Sequence, residues 1–476
     1  MNVLGWIALA SASFGSCNPD GGKAKPNTEI AAADTAGSST RTYPFFNGIT
    51  EVNKGLKTGT VQLKGTVPGA GIRKLYLYEM EGKTNVLIDS TVVNGSTFDF
   101  GKKTYEAGMY AVGVNDQNTI AVILNPSEPV VEIGFKAVKL DNGPVAINSK
   151  ENEGWFKYYP QEIMILQQIK DNMIAQAKSS LKDKFDQVIY EKDMQLANLQ
   201  GDLIKQYPNT FFAKLLTWKQ EPERSNKDKY WDNIDFTDES IVHCLVMPDR
   251  IQNFMRKFSG GAENGFLNCV DLVVEKSKVN ERVLEFNLYN MLNGFYESGM
   301  ENIAVYITDN YIFGEGCGDA EISNVLRSKA EGIVNLRIGK TPPNIQMKGI
   351  DGSNVDLYKL CAKNKYVLVM FWSSWCEHCK GEAPEVKFHY DNWHPKGFEI
   401  LGVSVDSSRQ PWEAAVKDRG FIFPNVVGMK LWDSKVAKDY KVTKTPAFFL
   451  LNSKAEIVLK PKSMREVNVW LTQNLK

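Results

Sequence analysis

The chain has 476 residues, of which 43% are hydrophobic and 11% aromatic, and this composition predicts about two to four folded domains and excludes a largely disordered protein. Lys plus Arg and Asp plus Glu number 56 each, so the charge balance predicts no nucleic-acid partner. No apolar run reaches the ~18 residues of a membrane-spanning helix.

The N-terminus has the features of an export signal. Val3 to Phe14 is a short stretch of apolar and small residues that leads into Gly15-Ser16-Cys17, as in a signal peptide with a small-residue cleavage site. The segment resembles a bacterial lipoprotein signal, which implies that Cys17 is lipidated. We predict residues 1–17 as signal peptide and lipobox, with a lipid anchor at the periplasmic face of a bacterial membrane. A disordered tail with an unmodified cysteine is the alternative, because no Lys or Arg precedes the apolar core.

The next segment is predicted as a flexible tether, residues 18–45. Gly, Pro, Ala, Ser and Thr dominate it, and coil statistics give about 25 such residues a reach on the order of 25–30 Å. That reach is enough to hold a folded body above a membrane.

Two structural domains are predicted after the tether. Residues 46–148 contain short alternating segments such as Thr60 to Val67, separated by turn signals such as Asn94-Gly95, and about seven strands at this spacing indicate an antiparallel β-sandwich. Residues 149–335 are predicted as a mostly α-helical domain, with an apolar stripe from Ile163 to Ile174 and a candidate helix from Leu181 to Tyr207. Its Met and aromatic side chains are interpreted as core.

His243 and Cys244 are adjacent in the helical region and suggest a metal site or a Cys–His nucleophile. The sequence indicates no acidic or amide partner near them. We therefore predict two buried residues near the start of a helix.

The motif Trp375-Cys376-Glu377-His378-Cys379 directly follows the apolar strand Tyr366 to Trp372. Two cysteines at this spacing at a helix start can close a small disulfide, open it and pass the exchange to another protein. If the helix begins at Cys376, its sulfur lies among unpaired backbone N–H groups at the positive end of the helix dipole, which favours the thiolate. We predict Cys376 as the attacking thiol and Cys379 as the resolving thiol. His378 can add positive charge or a hydrogen bond to the thiolate.

Two other interpretations of the cysteine pair have less support. Two core cysteines can lie near each other by chance, and a zinc site needs two further ligands, whereas the sequence has no second Cys-x-x-Cys or Cys/His knuckle. No metal is predicted. No segment resembles a flavin or nicotinamide site, so no cofactor is predicted either.

The elements after the motif predict an α/β fold. They are a strand from Phe398 to Val405, a helix with Pro411 in its first turn, a short helix from Ser434 to Tyr440, strands from Ala447 to Leu451 and Glu456 to Leu459, and a closing helix from Ser463 to Leu475. The order β-α-β-α-α-β-β-α gives a central sheet with helices on both faces.

Residues 336–476 resemble a thioredoxin fold of the TlpA-like (redoxin, AhpC/TSA superfamily) thiol-disulfide oxidoreductases, as found in multidomain Bacteroides-group lipoproteins. The motifs that carry the resemblance are Trp-Cys-x-x-Cys, Pro342-Pro343-Asn344, Glu382 with Pro384, and Thr445-Pro446. The resemblance implies that Pro446 is cis and faces the disulfide, where the preceding backbone aligns the substrate chain. It also implies that Glu382 is a partly buried carboxylate that transfers a proton during resolution. From the residues alone, Glu382 is equally a first-turn carboxylate favoured by the helix dipole.

These residues predict an envelope thiol-disulfide oxidoreductase that acts on cysteine-containing envelope proteins and receives electrons from a membrane donor. A thiol peroxidase is one alternative, but it needs a Thr three residues before the peroxidatic cysteine and a nearby Arg, whereas Ser373 occupies that position. An adaptor or binding lipoprotein with a regulatory redox site is the other, because the role of the two preceding domains is open.

Four further cysteines lie outside any motif: Cys244, Cys269, Cys317 and Cys361. In an oxidising compartment they allow three complete pairings, which the sequence does not rank. Cys317, between two glycines, is predicted as an exposed free or transiently paired thiol. Cys361 is predicted as a packed small hydrophobe.

Overall fold

The computed structural model describes residues 43–475 apart from 56–57, 69–70, 83, 116–117, 138, 141–142, 180–181, 223, 315 and 317–321. Cys17, the predicted signal, most of the tether and Cys317 therefore lie outside the described residues. The chain forms two compact units. In its described part the first runs from residue 43 to Gly299, and the second comprises Met300–Gly316 and the chain from Ile322 onward. Among the described residues, no helix combines the length and the apolar character that a bilayer crossing needs.

The first unit begins with two four-stranded β-sheets that share one core. Its first elements are α1 (Glu51–Lys54), β1 (Thr58–Thr66), β2 (Lys74–Glu81), β3 (Thr84–Val92), β4 (Thr97–Glu106), β5 (Gly108–Gly113), β6 (Thr119–Leu124), β7 (Val130–Gly134) and β8 (Val145–Ala146). The sheet orders are β4-β1-β7-β8 and β3-β2-β5-β6. Alternation along β1 buries Val61 and Leu63 in the common core. The predicted β-rich region is confirmed, with one departure. Strands β1 and β7 pair in parallel. The alternation of apolar and polar residues along a strand does not distinguish parallel from antiparallel pairing.

Helices form the rest of the first unit, as predicted. They are α2 (Lys150–Ala177), α3 (Lys182–Gln206), α4 (Phe211–Lys219), α5 (Val246–Phe258), α6 (Glu263–Ser277) and α7 (Glu281–Ser298). Helix α2 is held against β6, because the Asn152 side chain accepts from the backbone N–H of Ile123 and donates to its carbonyl, both at 2.8 Å. The apolar stripe predicted on α2 is only partly buried. Ile165 is enclosed, whereas Ile163 and Ile174 are each 47% exposed.

The second unit contains two helices followed by an α/β domain. Its elements are α8 (Glu301–Ile307), α9 (Asn324–Asn335), β9 (Gln346–Lys348), β10 (Asn354–Asp356), α10 (Leu357–Lys363), β11 (Tyr366–Trp372), α11 (Glu377–Trp393), β12 (Phe398–Ser404), α12 (Arg409–Asp418), β13 (Asn425–Val427), α13 (Lys435–Asp439), β14 (Ala447–Asn452), β15 (Ile457–Leu459) and α14 (Met464–Asn474). Although the sequence pattern grouped α8 and α9 with the middle helices, they belong to this unit. The predicted domain boundaries themselves stay a prediction.

A five-stranded sheet with the order β13-β12-β11-β14-β15 forms the centre of the second unit. Strand β11 pairs in parallel with β12 and antiparallel with β14. Its successive side chains point into two cores, one on each face, so that Val369 and Met370 are both buried. The predicted α/β fold is confirmed. Strand β13 was not predicted.

Candidate redox site

The site lies where the central strand β11 gives way to α11. The connection is Ser373-Ser374-Trp375-Cys376, and Cys376 is the N-cap residue of α11, where the sequence placed the helix start. Cys376 and Cys379 form a disulfide, with their Cα atoms 5.3 Å apart. The Cys376 sulfur accepts a hydrogen bond from the Cys379 backbone N–H at 3.1 Å. The Cys376 sulfur thus occupies the N-cap position, where the oxygen of a Ser, Thr or Asp side chain is usual. It accepts from a helical N–H that would otherwise have no partner.

Both sulfurs lie in a mostly buried position. Cys376 is 7% and Cys379 4% exposed, and both belong to the core that covers one face of the sheet. Trp375, by contrast, is 53% exposed, and its ring packs edge-on against Trp432 with centroids 6.1 Å apart. His378 lies on the exposed side of the first helical turn. A positive charge on this ring would therefore act on the sulfurs through solvent, where screening is strong.

The Thr445–Pro446 peptide bond is cis, as the family resemblance implied. The loop that contains it precedes β14 and reaches the disulfide. The carbonyl oxygen of Thr445 lies 3.5 Å from the Cys376 sulfur. Two motifs that are 69 residues apart in the sequence thus meet at one point. Their role in aligning a substrate stays a prediction.

Glu382 is half-buried on α11, but in the second turn of that helix. Its carboxylate oxygen Oε2 accepts a hydrogen bond at 3.0 Å from the backbone N–H of Met464, the first residue of α14. The interpretation as a first-turn carboxylate of its own helix is therefore wrong. Glu382 instead places its charge at the N-terminus of a different helix, where a helix dipole favours it. The proton-transfer role stays a prediction.

Sequence reasoning missed Asp406, a carboxylate that lies just beyond β12 and is only 2% exposed. It accepts hydrogen bonds from the backbone N–H of Ser374 at 2.9 Å and from the Ser374 hydroxyl at 2.6 Å. The Ser404 hydroxyl donates a third at 2.6 Å. A carboxylate at the carboxyl end of a mostly apolar strand was the signal in the sequence.

Arg419, just after α12, was also missed. Its guanidinium donates to the carbonyl oxygens of Ser373 at 3.1 Å and Ser374 at 2.8 Å. It also lies over the Trp372 ring, 5.0 Å from the centroid. Burial lowers the pKa of Arg419, although the negative charge of Asp406 opposes the change. In the segment before Cys376, Asp406 therefore binds the N–H and hydroxyl groups of Ser374. Arg419 binds the carbonyl groups of Ser373 and Ser374.

A groove of about 710 Å³ lies between α11 and α12 and runs up to this segment. Its lining includes small apolar residues, among them Ala383, Pro384 and Ala415, and the charged residues Lys380 and Asp418.

His243 and Cys244 in the first unit are buried, as predicted. However, His243 does have acidic partners. Its Nε2 lies 2.7 Å from Oε2 of Glu106, and its Nδ1 lies 3.3 Å from Oε1 of Glu79. These carboxylates belong to β2 and β4. Both strands are far from His243 in the sequence, so the sequence alone did not indicate the contacts. The Cys244 thiol donates to the Ile241 carbonyl, and burial raises its pKa to about 12. A thiol held in its protonated form is a poor nucleophile.

The remaining described cysteines, Cys269 and Cys361, are free and buried. Burial raises the pKa of Cys361 to about 12, and its side chain packs in one core of the second unit, as predicted. In the part of the chain that the structure describes, no group of three or more His, Cys, Asp or Glu side chains is arranged to hold a metal ion.

Comparison with known proteins identifies the domain that carries the site. Residues 338–460 match the AhpC/TSA family. The redoxin resemblance inferred from the motifs is therefore confirmed. Residues 61–155 match a domain of unknown function, DUF4369, which covers most of the two β-sheets and the start of α2.

Several proteins named as thiol-disulfide oxidoreductases are similar to this chain. Thiol-disulfide oxidoreductase ResA of Bacillus subtilis is 32% identical over 120 residues, which are 25% of this chain and 64% of ResA. The chain thus spans less than two thirds of that relative. Sporulation thiol-disulfide oxidoreductase A of the same species is 27% identical over 135 residues, 27% of this chain and 78% of the relative. Among solved structures, the thioredoxin domain of a thiol-disulfide oxidoreductase from Bacteroides vulgatus is 27% identical and covers 30% of this chain and 99% of its own, with a TM-score of 0.28.

Proposed function

We propose that the protein is a thiol-disulfide oxidoreductase of the bacterial envelope that exchanges disulfides with cysteine-containing proteins. The observation that carries the proposal is the Cys376–Cys379 disulfide at the N-terminus of α11, beside the Thr445–Pro446 loop. The names of the similar proteins support the same reaction.

The reaction begins with Cys376 in the reduced protein. Its thiolate attacks one sulfur of a substrate disulfide, that S–S bond breaks, and the other substrate sulfur leaves as a thiolate. The product is a mixed disulfide between Cys376 and the substrate. The backbone N–H of Cys379, which donates to the Cys376 sulfur at 3.1 Å, stabilises negative charge on that sulfur in the thiolate that attacks.

Cys379 completes the exchange. After its thiol loses a proton, the Cys379 sulfur attacks the Cys376 sulfur and releases the second substrate thiolate. The protein then holds the Cys376–Cys379 disulfide, and the substrate has gained two electrons. The same steps in reverse oxidise a dithiol substrate. A membrane electron donor that reduces the pair again is part of the proposal, as are export and lipidation at Cys17, which rest on the sequence pattern.

A thiol peroxidase needs an arginine directed at the peroxide. Here the Arg419 guanidinium is bound to two backbone carbonyls of the segment before Cys376, so its donors are not directed at the sulfur. The Ser373 side chain, which takes the place of the expected threonine, is buried. These contacts favour disulfide exchange over peroxide reduction.

The test sets insulin-disulfide reduction beside hydroperoxide consumption for the full chain, with dithiothreitol as the reductant. We expect insulin reduction that disappears in the Cys376→Ser/Cys379→Ser variant and persists in Cys269→Ala, which removes a buried cysteine of the other unit. Hydroperoxide consumption without insulin reduction would establish the peroxidase instead. If a folded protein shows neither activity, the adaptor interpretation gains support.

A further inference from the structure

We propose that Asp406 and Arg419 are positioning residues for disulfide exchange, because together they fix the segment Ser373–Trp375 and with it the direction in which Cys376 presents its sulfur. This inference rests on the proposed function and adds two residues to the site. Neither side chain is required to touch a substrate.

The N–H side of the segment is held by Asp406. A buried carboxylate is stable only when hydrogen bonds replace its hydration. Two of the three donors to Asp406 belong to Ser374, and the third is the Ser404 hydroxyl at the end of β12. The carboxylate therefore ties the segment to the end of β12, an interior strand of the five-stranded sheet.

The carbonyl side is held by Arg419. The planar guanidinium donates to two successive carbonyl oxygens, those of Ser373 and Ser374, and rests on the face of Trp372. Only arginine has donors spread widely enough to bind both oxygens at once. Because the negative ends of these two carbonyl dipoles point at the guanidinium, they do not turn toward the sulfur, where they would disfavour a thiolate.

The position of Cys376 follows from this arrangement. Its backbone N–H donates to the Ser373 carbonyl at 3.4 Å, and its sulfur accepts from the Cys379 N–H. The other titratable side chains at the start of α11 and the end of α12 are exposed, namely Glu377, His378, Lys380, Lys417 and Asp418, and Glu382 is bound to α14. The buried carboxylate Asp406 and the guanidinium of Arg419 are thus the charges that fix the segment. A displacement of about 1 Å at a reacting group can lower a rate on the order of a hundredfold.

The experiment compares Arg419→Gln, Arg419→Lys and Asp406→Asn with Arg409→Gln. Arg409 begins the same helix and forms an exposed ion pair with Glu413, so its loss controls for a charge change on α12. Two reactions of the reduced protein are followed across pH: insulin reduction and alkylation of Cys376 by iodoacetamide. Thermal melting is measured for every variant.

We expect Arg419→Gln to slow insulin reduction roughly tenfold and to move the midpoint of alkylation to higher pH. Arg419→Lys, which keeps the charge but binds one carbonyl at a time, should recover only part of the rate. Arg409→Gln should match the wild type. If Arg419→Gln does not fold, Asp406→Asn decides, because it keeps the shape of the carboxylate and should also slow insulin reduction. Its alkylation midpoint should not rise, since the substitution removes a negative charge from the segment before Cys376.

Folded Arg419→Gln and Asp406→Asn proteins with wild-type rates and alkylation profiles would overturn the inference. Since alkylation needs no disulfide substrate, the outcome is separate from that of the proposed function. A wild type that fails to reduce insulin while Arg419→Gln still shifts the alkylation profile would remove the proposed function and leave the positioning intact.

Discussion

Glu382 on α11 and Met464 at the start of α14 are joined by a hydrogen bond of 3.0 Å between the carboxylate and the backbone N–H. The helix that contains the cysteine pair is thus tied to the closing helix of the domain by an anion at a helix N-terminus. The residues are 82 positions apart, and the bond indicates a structural role for a side chain that the family resemblance assigned to proton transfer.

Glu382→Gln separates the two roles. Gln keeps an acceptor oxygen but loses the charge at the α14 N-terminus. For a structural role alone we expect a loss of ~0.3–1 kcal/mol in the free energy of unfolding and an unchanged pH dependence of insulin reduction. The measurements are melting temperature and a pH–rate profile. Glu385→Gln, an exposed position on the same helix, is the matched control. A pH optimum that moves in Glu382→Gln alone would instead support the predicted proton-transfer role.

Local patterns in the sequence predicted much of this architecture. Strand β11 has the predicted bounds, and the helix after it starts at the predicted cysteine, because an apolar run and an N-cap are encoded by consecutive residues. The contacts that complete the site have no such local code. Asp406 and Arg419 reach Ser374 from 32 and 45 residues away, and only the folded sheet brings them together.

The acidic partners of His243 were not predicted for the same reason. Its neighbour Cys244 suggested a reactive pair, whereas one of its two acidic partners, Glu106, lies 137 residues earlier. Arg282 also donates to the same Glu106 oxygen, at 2.8 Å. Although burial raises the pKa of Glu106, its hydrogen bond with Arg282 and the nearby charges lower it overall. A cluster assembled from two strands and a helix cannot be recognised from a single-sequence motif.

Cys17→Ala tests the predicted anchor, a residue outside the described part of the chain. If Cys17 is lipidated, the variant should appear as a soluble protein or an uncleaved precursor, because the predicted tether supplies no other membrane contact. Membrane fractionation and mass spectrometry of the mature N-terminus check this outcome. Wild-type protein found soluble in the cytoplasm would contradict both export and anchoring.

Glu151 is expected to make the first unit less stable as pH rises toward neutrality. Its buried carboxylate accepts from the backbone N–H groups of Phe211 and Phe212, both at 2.7 Å, but burial outweighs these bonds and raises its pKa to about 7. In the unfolded chain the pKa is about 4.3. Between these values the native state binds a proton that the unfolded state releases, so stability is full below the lower value and falls by at most ~1.4 kcal/mol per pH unit up to the higher one.

Calorimetry at about pH 5 and about pH 7 measures this dependence. We expect Glu151→Gln to remove it, since a glutamine does not titrate. Glu153→Gln, an exposed position on the same helix, should behave like the wild type. A wild type that is equally stable at both pH values would show that the hydrogen bonds at the start of α4 keep Glu151 ionised.

The order of attack by the two cysteines is the last prediction. The Cys376 sulfur receives the helical N–H and lies beside the Thr445 carbonyl, so we expect it to be the thiolate that attacks an incoming disulfide. Cys379→Ser should therefore still attack but trap mixed disulfides, whereas Cys376→Ser should form none. Non-reducing electrophoresis and mass spectrometry after incubation with a disulfide-bonded protein detect the adducts. Adducts that accumulate on Cys376→Ser would reverse the assignment, because Cys379 would then be the sulfur that reaches the substrate.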